Sequence, residues 1–233
     1  MGVSNILRKV VRLPGGGETP LFRAWKRFVD GGEIDPRVVR AEVAESWKRS
    51  RVHGVDPFQW AIPSRLTPPE QGRRREAAAV LATAAGPILE GLFADLPRRD
   101  ELAVILTDHE GFVVRMIARG ALGDVMRAGN FREGESLREE DAGTTSAAIV
   151  ARTGLAIQIS AEEHYCRICH GVTCASAPVR RPDGTMIGIV SFTAAREAIH
   201  DHPHTLGMAI AAAAAVEQSL RQAVASGDPS RGR

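Results

Sequence analysis

Eleven residues, HYCRICHGVTC at 164–174, hold all three cysteines of the chain and two of its seven histidines. Thiolate and imidazole suit zinc, iron and iron–sulfur clusters, so Cys166, Cys169, His170 and Cys174 are candidate metal ligands. Cys166 and Cys169 lie three apart, so one helical turn can show both thiols to the same ion, with Cys174 returning from an adjacent strand. The run Cys166-Arg167-Ile168-Cys169-His170 also matches the C-x-x-C-H pattern that attaches haem through two thioethers. Such attachment belongs outside the cytoplasm. The N-terminal MGVSNILRKVVRLPGGG lacks the apolar stretch and small-residue cleavage site of a secretory signal, so covalent haem is not expected. Redox exchange between neighbouring thiols is another use of the cluster. The plainest use is packing: free cysteines are small buried hydrophobes, and His164 and Tyr165 then serve as polar hooks on the wall of a ligand pocket.

The rest of the composition narrows the setting. The 233 residues are 44% hydrophobic and 25% charged, with 30 Lys and Arg against 28 Asp and Glu, a net charge of +2. That balance gives one sizeable core and no global field for nucleic acid or an anionic membrane surface. No apolar run reaches membrane-spanning length, so a cytoplasmic protein is expected, and an odd cysteine count there argues against a disulfide framework.

The elements that must position the cluster follow from periodicity. Residues 1–18 read as a flexible leader. Phe22, Trp25, Phe28 and Val29 then recur at helical spacing up to Gly31-Gly32. Asp35 is expected to cap a second helix with Pro36 at its first position, burying Val39, Val43 and Trp47 and stopping at Gly54. Thr67-Pro68-Pro69 opens a long helix with two apolar rows, Val80, Ala84, Ile88, Leu92, Leu96 and Leu81, Ala85, Leu89, Phe93, and Gly86-Pro87 should kink it. Arg73, Arg74 and Arg75 at its start are expected to be solvated.

From residue 101 the period changes. LAVILTD and FVVRMIA flank a hairpin turn at His109-Glu110-Gly111, and Asp108 to Glu110 read as a solvated tip. AGTTSAAIVARTG is helical as far as Gly154, LAIQIS is a short strand, and TCASAPV and TMIGIVSFT flank a second hairpin at Pro182-Asp183-Gly184. An Ala-rich helix with Leu206, Ile210, Ala213, Val216, Leu220 and Val224 on one side follows, and 227–233 is a disordered tail. The order helix, two strands, loop-rich middle, two strands, helix predicts an α+β antiparallel sheet. Helices pack on one face and ligand-pocket loops on the other. A helical extension at 19–66 precedes the main domain at 67–226.

Two segments carry a family likeness. EEDAGTTSAAIV, followed by AEEHYCRICHGVTCASAPVRRPDGTMIGIVSFT, resembles the GAF sensor domain of sigma-54-dependent transcriptional activators of the acetoin-catabolism regulator type. FRAWKRFVDGG and VRAEVAESWKRSRVHGVDP resemble the helical lead-in of those proteins, so the resemblance runs over roughly residues 20–224. Thr145 stands where Asn is usual, and SFT at 191–193 replaces an acidic ending. The resemblance implies a signal-sensing module that binds a small effector through His164, Tyr165, Cys166, Cys169, Cys174 and Thr144, with no catalytic residue. A thiolate-ligated metal or redox sensor is the alternative. A GAF-fold free methionine sulfoxide reductase, in which pocket-loop thiols attack and resolve, is a third.

The sequence carries no G-x4-G-K-[ST] phosphate loop and no helix-turn-helix after the last helix. Direct DNA binding by this chain is therefore not expected. Output is expected through a partner, such as an ATPase activator or the transcription machinery, or through a missing domain. GAF-like domains commonly pair through terminal helices, so a homodimer is expected, and no membrane contact is. His200, His202 and His204 in HDHPH form a second, weaker metal-like tract, read as a polar cap. No cofactor follows firmly from the sequence; zinc, iron or an iron–sulfur cluster stay open at the 164–174 cluster.

Overall fold

The computed structural model of the protein describes residues 18–96, 99–195 and 204–225. The expected leader, apart from Glu18, the tail, and His200 and His202 lie outside them. Two helices begin the described part of the chain, α1 (Pro20–Val29) and α2 (Ala41–Val52). Thr19 caps α1 by accepting from Phe22 N at 2.9 Å, and Pro20 takes the first position, where no backbone donor is needed.

The second helix starts later than its sequence suggests. Asp35 accepts from Arg37 N at 3.0 Å and closes a turn over 36–39. Arg40 then stays extended, at ψ 153°, because its guanidinium reaches across to Glu163. Helix geometry therefore begins at Ala41. Gly54, at φ 72°, ends the element as expected.

The long helix from Pro68 is two helices, α3 (Pro68–Ala77) and α4 (Ala79–Asp95), bent by 73°. The bend falls at Ala78, not at Gly86-Pro87. Arg74 explains the angle of α3: it pairs with Asp108 at 2.9 Å and Glu110 at 2.8 Å and lies 3.7 Å from the Phe112 ring centroid. The middle arginine of the run is thus a tether, and the Asp108–Glu110 tip is not simply solvated. Pro87 leaves α4 continuous because it faces solvent, and Thr83, whose carbonyl loses its donor, is also exposed, so water can take that bond.

Five strands follow: β1 (Leu102–Asp108), β2 (Val113–Ala118), β3 (Ile157–Ser160), β4 (Val172–Arg180) and β5 (Met186–Ala195). They form one antiparallel sheet in the order β2-β1-β5-β4-β3, with both expected hairpins in place. The helices between strands are α5 (Gly120–Ala128), α6 (Glu139–Ala142) and α7 (Ser146–Thr153), and α8 (His204–Ala225) closes the described chain. Of these, α7 is the helix expected up to Gly154, whereas α5 and α6 fall in the region expected to be rich in loops. Thr145 caps α7 through Ala148 N at 3.0 Å, and Gly154 ends it in the left-handed conformation.

Strand alternation sends the two faces to different tasks. Leu102, Val104, Leu106, Ala175, Ala177, Val190 and Phe192 meet Leu81, Ala85, Leu89 and Phe93 of α4 and Ala209, Ala213 and Val216 of α8. Ile210 of α8, expected on the buried side, is 48% exposed. The opposite face carries Ile105, Cys174, Ser176, Ser191 and Thr193, and α5, α7 and the 161–170 loop cover it. Trp25, Phe28, Val43 and Trp47 form a separate core with Ile149, Ile159, Tyr165 and Cys166, which clamps the helical extension onto this same side. Among the described residues no single helix is long and apolar enough to cross a membrane.

Candidate functional site

Between the sheet and the covering helices lies a cavity. Its floor is a patch of the sheet set by register: Cys174 sits opposite Thr193, and Ser191 lies between Ser176 and Ile105. Leu122, Val125 and Met126 of α5 form one wall, and Thr145, Ser146 and Ala147 at the start of α7 another. His164, Ile168 and Cys169 from the loop close it. The space open to the centres of water-sized molecules is about 60 Å³. Among the described residues no Asp, Glu, Lys or Arg lines it.

Two polar features stand out in this apolar space. His164 is fully buried, and its Nδ1 lies 3.0 Å from the Ala161 carbonyl. A carbonyl only accepts, so Nδ1 carries the proton and Nε2 keeps its lone pair. Burial pushes the imidazole down to about 4, so it stays neutral at physiological pH. Nε2 is buried and has no partner in the described structure. A buried acceptor without a donor is costly, and a ligand hydroxyl would satisfy it.

The second feature is a row of hydroxyls. Ser146 lies 2.7 Å from Ser176, which lies 2.6 Å from Ser191. If each hydroxyl donates once along the row, two of its protons are used internally. The last is left at Ser146 or Ser191, and both line the cavity. The cavity therefore offers an acceptor at His164 and an adjustable donor at the serine row.

The residues expected to form the site separate into two sets. His164, Cys169 and Cys174 line the cavity. Thr144, Tyr165 and Cys166 do not; they point to the helical extension. Thr144 is 2.8 Å from Ser46, Tyr165 packs edge-on to Phe28, and Cys166 lies in the core of Trp25 and Trp47. Thr144 and Tyr165 are the immediate neighbours of the cavity residues Thr145 and His164, and the turn of the chain between them reverses the facing. Thr145, not Thr144, reaches the cavity.

The thiols do not assemble as a metal site. Cys166 Sγ lies 3.3 Å from the Ala142 carbonyl, Cys174 Sγ lies 3.3 Å from Thr193 Oγ1, and Cys169 belongs to the core on the cavity side. His170 turns Nε2 to the His164 carbonyl at 3.1 Å. Among the described residues no group of three or more His, Cys, Asp or Glu side chains could hold an ion. Of the four candidate ligands Cys166, Cys169, His170 and Cys174, Cys169 and Cys174 pack together on the cavity side while Cys166 lies in the core of the extension and His170 bonds the His164 carbonyl. Burial pushes the Cys166 thiol to about 12 and Cys174 to about 11, and raises Cys169 as well. A thiolate is the form that attacks sulfur, so these thiols are poor nucleophiles as they stand.

Sequence reasoning missed the serines, Thr193 and α5. The signal was present for the sheet: Ser176 and Cys174 are two apart, as are Ser191 and Thr193, so each pair shares a strand face. Leu122, Val125 and Met126 also recur at helical spacing. What placed them together, the pairing of β4 with β5, needed the register.

Comparison with known proteins accounts for this architecture. Residues 18–218 match the family described as MimR, N-terminal domain. The chain belongs to that family. Its relatives include the acetoin dehydrogenase operon transcriptional activator AcoR of Bacillus subtilis (strain 168), 31% identical over 200 residues. That alignment covers 85% of this chain and 32% of AcoR. The propane 2-monooxygenase operon transcriptional activator MimR of Mycolicibacterium goodii is 31% identical over 215 residues, 89% of this chain and 34% of MimR. The chain thus spans about a third of the length of these curated relatives. The crystal structure of the E. coli DhaR(N)–DhaL complex contains a chain of the same fold, with TM-score 0.71 and 18% identity. It covers 83% of this chain and 64% of that one. The α+β sensor fold of sigma-54-type activators is therefore the fold of this family member.

Proposed function

We propose that the chain is the effector-sensing module of a transcriptional activator, and that the cavity takes a small, uncharged, oxygen-bearing molecule. The observation that carries this reading is the unpartnered His164 Nε2 on the wall of an apolar cavity without a charged side chain. A ligand hydroxyl would donate to Nε2 while a second oxygen accepts from Ser146 or Ser191, and its carbon skeleton would lie against Leu122, Val125 and Met126. A carboxylate or ammonium would enter without a counter-charge, at a cost its few contacts would not offset. The names of two relatives join them to operons of acetoin dehydrogenase and propane 2-monooxygenase, whose named compounds are small and uncharged. That supports the same ligand class here.

The sensing unit under this reading is the sheet with α3 to α8, and the helical extension is its attached arm. Output passes to a partner or to a further domain, in the intracellular setting of a transcription regulator. We also assign pairing with a second copy to the outer faces of α4 and α8, where Thr83, Pro87, Ile210 and Ala214 are exposed. Sedimentation of Ile210→Glu against the unmodified chain tests the pairing.

Calorimetric titration with acetoin, propan-2-ol and acetate tests the ligand class. Acetoin should bind most tightly, having a hydroxyl to donate to His164 and a separate carbonyl oxygen to accept from the serine row, and His164→Phe should abolish binding. Equal binding of acetate, or binding unchanged in His164→Phe, would overturn the reading.

A further inference from the structure

We infer that the helical extension α1–α2 reads the occupancy of the cavity through the Ser160–Cys166 turn, so that a ligand on His164 changes how firmly the extension is held. This rests on the cavity being the effector site. Three successive carbonyls around His164 are all engaged. Trp47 Nε1 donates to Glu163 O at 2.8 Å, His170 Nε2 to His164 O at 3.1 Å, and Trp25 Nε1 to Tyr165 O at 2.9 Å. Both indoles belong to the extension and are buried. The His164 ring, which lines the cavity, is therefore bracketed by bonds from α2 to the residue before it and from α1 to the residue after it.

The extension grips the same turn through charge. Arg40 reaches Glu163 at 2.6 Å and also bonds the Gln158 carbonyl, while Glu163 accepts from Ser160 N at 2.8 Å. Within the turn Ala161 holds φ at 48°, a conformation L residues rarely adopt. Two donors from His164 fix it, the backbone N at 3.1 Å and Nδ1 at 3.0 Å, both on the Ala161 carbonyl. A strained turn held by a few bonds has a relaxed alternative, which is what a two-state element requires. A ligand donating to Nε2 makes Nδ1–H a stronger donor and so tightens the bond that holds Ala161.

A second contact runs in parallel. Thr145 lines the cavity while Thr144, its neighbour, meets Ser46 and Ser50 of α2 at 2.8 and 3.3 Å. At two separate places, then, adjacent residues face the cavity and the extension. Coupling between sites is reciprocal, so the extension must in turn set the state of His164.

Hydrogen exchange on the full chain, with and without acetoin, tests this. Binding should slow amide exchange in 20–29 and 41–52 about fivefold or more while exchange in α4 and α8 stays unchanged. Acetoin binding that leaves the extension's exchange unchanged overturns the inference and leaves the effector reading intact. Absence of acetoin binding counts against the effector reading, and the coupling is then decided without ligand. In ¹⁵N-histidine spectra, Trp25→Phe and Arg40→Gln should each speed exchange of the His164 Nδ1 proton by about fivefold or more. An unchanged rate in both overturns it. Arg40 is 42% exposed, so its variant keeps the test usable where Trp25→Phe does not fold.

Discussion

The hydroxyls of Thr144 and Ser46 meet at 2.8 Å, joining the loop that leads into α7 to the second helix of the extension. Ser46 also donates to Glu139, whose carboxylate takes two bonds from Arg49, at 2.5 and 2.9 Å. Glu139→Ala would leave these partners without their acceptor. Arg49 is a quarter exposed, so water recovers part of its loss. The expected cost is roughly 2 kcal/mol, against about 1 kcal/mol for Glu139→Gln, which keeps one acceptor oxygen. Urea denaturation measures both. Equal stability of all three proteins would show that the latch contributes nothing.

His164 makes stability depend on pH. Its folded-state value is about 4, below the usual imidazole value of 6.5. Between those values the unfolded chain binds the extra proton and the folded chain does not, so stability rises with pH through that window. The contribution is fully present above about 6.5 and is lost as pH falls toward 4, a loss of roughly 3 kcal/mol in all. Denaturant midpoints from pH 7.5 to 4.5 should fall, and His164→Gln should flatten that part of the profile. The same slope in the variant would place the titration elsewhere.

Thiol reactivity follows from burial. At pH 8 the folded protein should react with iodoacetamide at least about a hundredfold more slowly than the chain in guanidinium, because the thiolate fraction falls tenfold for each unit the thiol is raised. Cys174→Ser should fold normally, since Ser can keep the bond to Thr193. Mass spectrometry of the alkylated protein reads the rates. Rapid labelling of Cys166 in the folded state, or a stoichiometric metal ion retained through purification, would return the cluster to the metal and redox readings.

Much of the fold was legible because alternation and helical spacing are local. The two hairpins, the cap and stop of α7, and the aromatic anchors Trp25 and Trp47 all follow from residues within a few positions of one another. The site was legible only in part. His164, Cys169 and Cys174 were singled out through their chemistry and line the cavity, whereas Thr144, Tyr165 and Cys166, singled out with them, face the helical extension. Ser146, Ser176 and Ser191 are brought together by strand register and by the docking of α7, and neither is written in any one segment. The bend at Ala78 had the same cause: Arg74 is held by Asp108 and Glu110, more than thirty residues away.

Gly143 turns the chain between α6 and the Thr144–Thr145 pair at φ 67° and ψ −155°, a region open almost only to glycine. A Cβ there would meet the Tyr165 side chain at 3.1 Å and Cys166 Sγ at 3.3 Å. Gly143→Ala should therefore destabilise by about 1–3 kcal/mol, from strain and from pressure on the extension's core. It should also weaken acetoin binding, because the same turn sets Thr145. A denaturation curve matching the unmodified protein would refute the strain argument.

Pro87 tests the account of α4 from the other direction. The helix runs on through it, so the proline costs a backbone bond to Thr83 without producing the break its sequence position suggests. It faces solvent, and replacing it with alanine should restore the donor without disturbing the contacts of Leu81, Ala85 and Leu89 with the sheet. Pro87→Ala is expected to stabilise the chain by roughly 1–2 kcal/mol, less than the full helix-propensity difference because Thr83 is exposed and water can reach its carbonyl. Thermal denaturation reads the gain directly. A loss of stability would mean that α4 depends on a deformation at Pro87 for its packing against the sheet and α8.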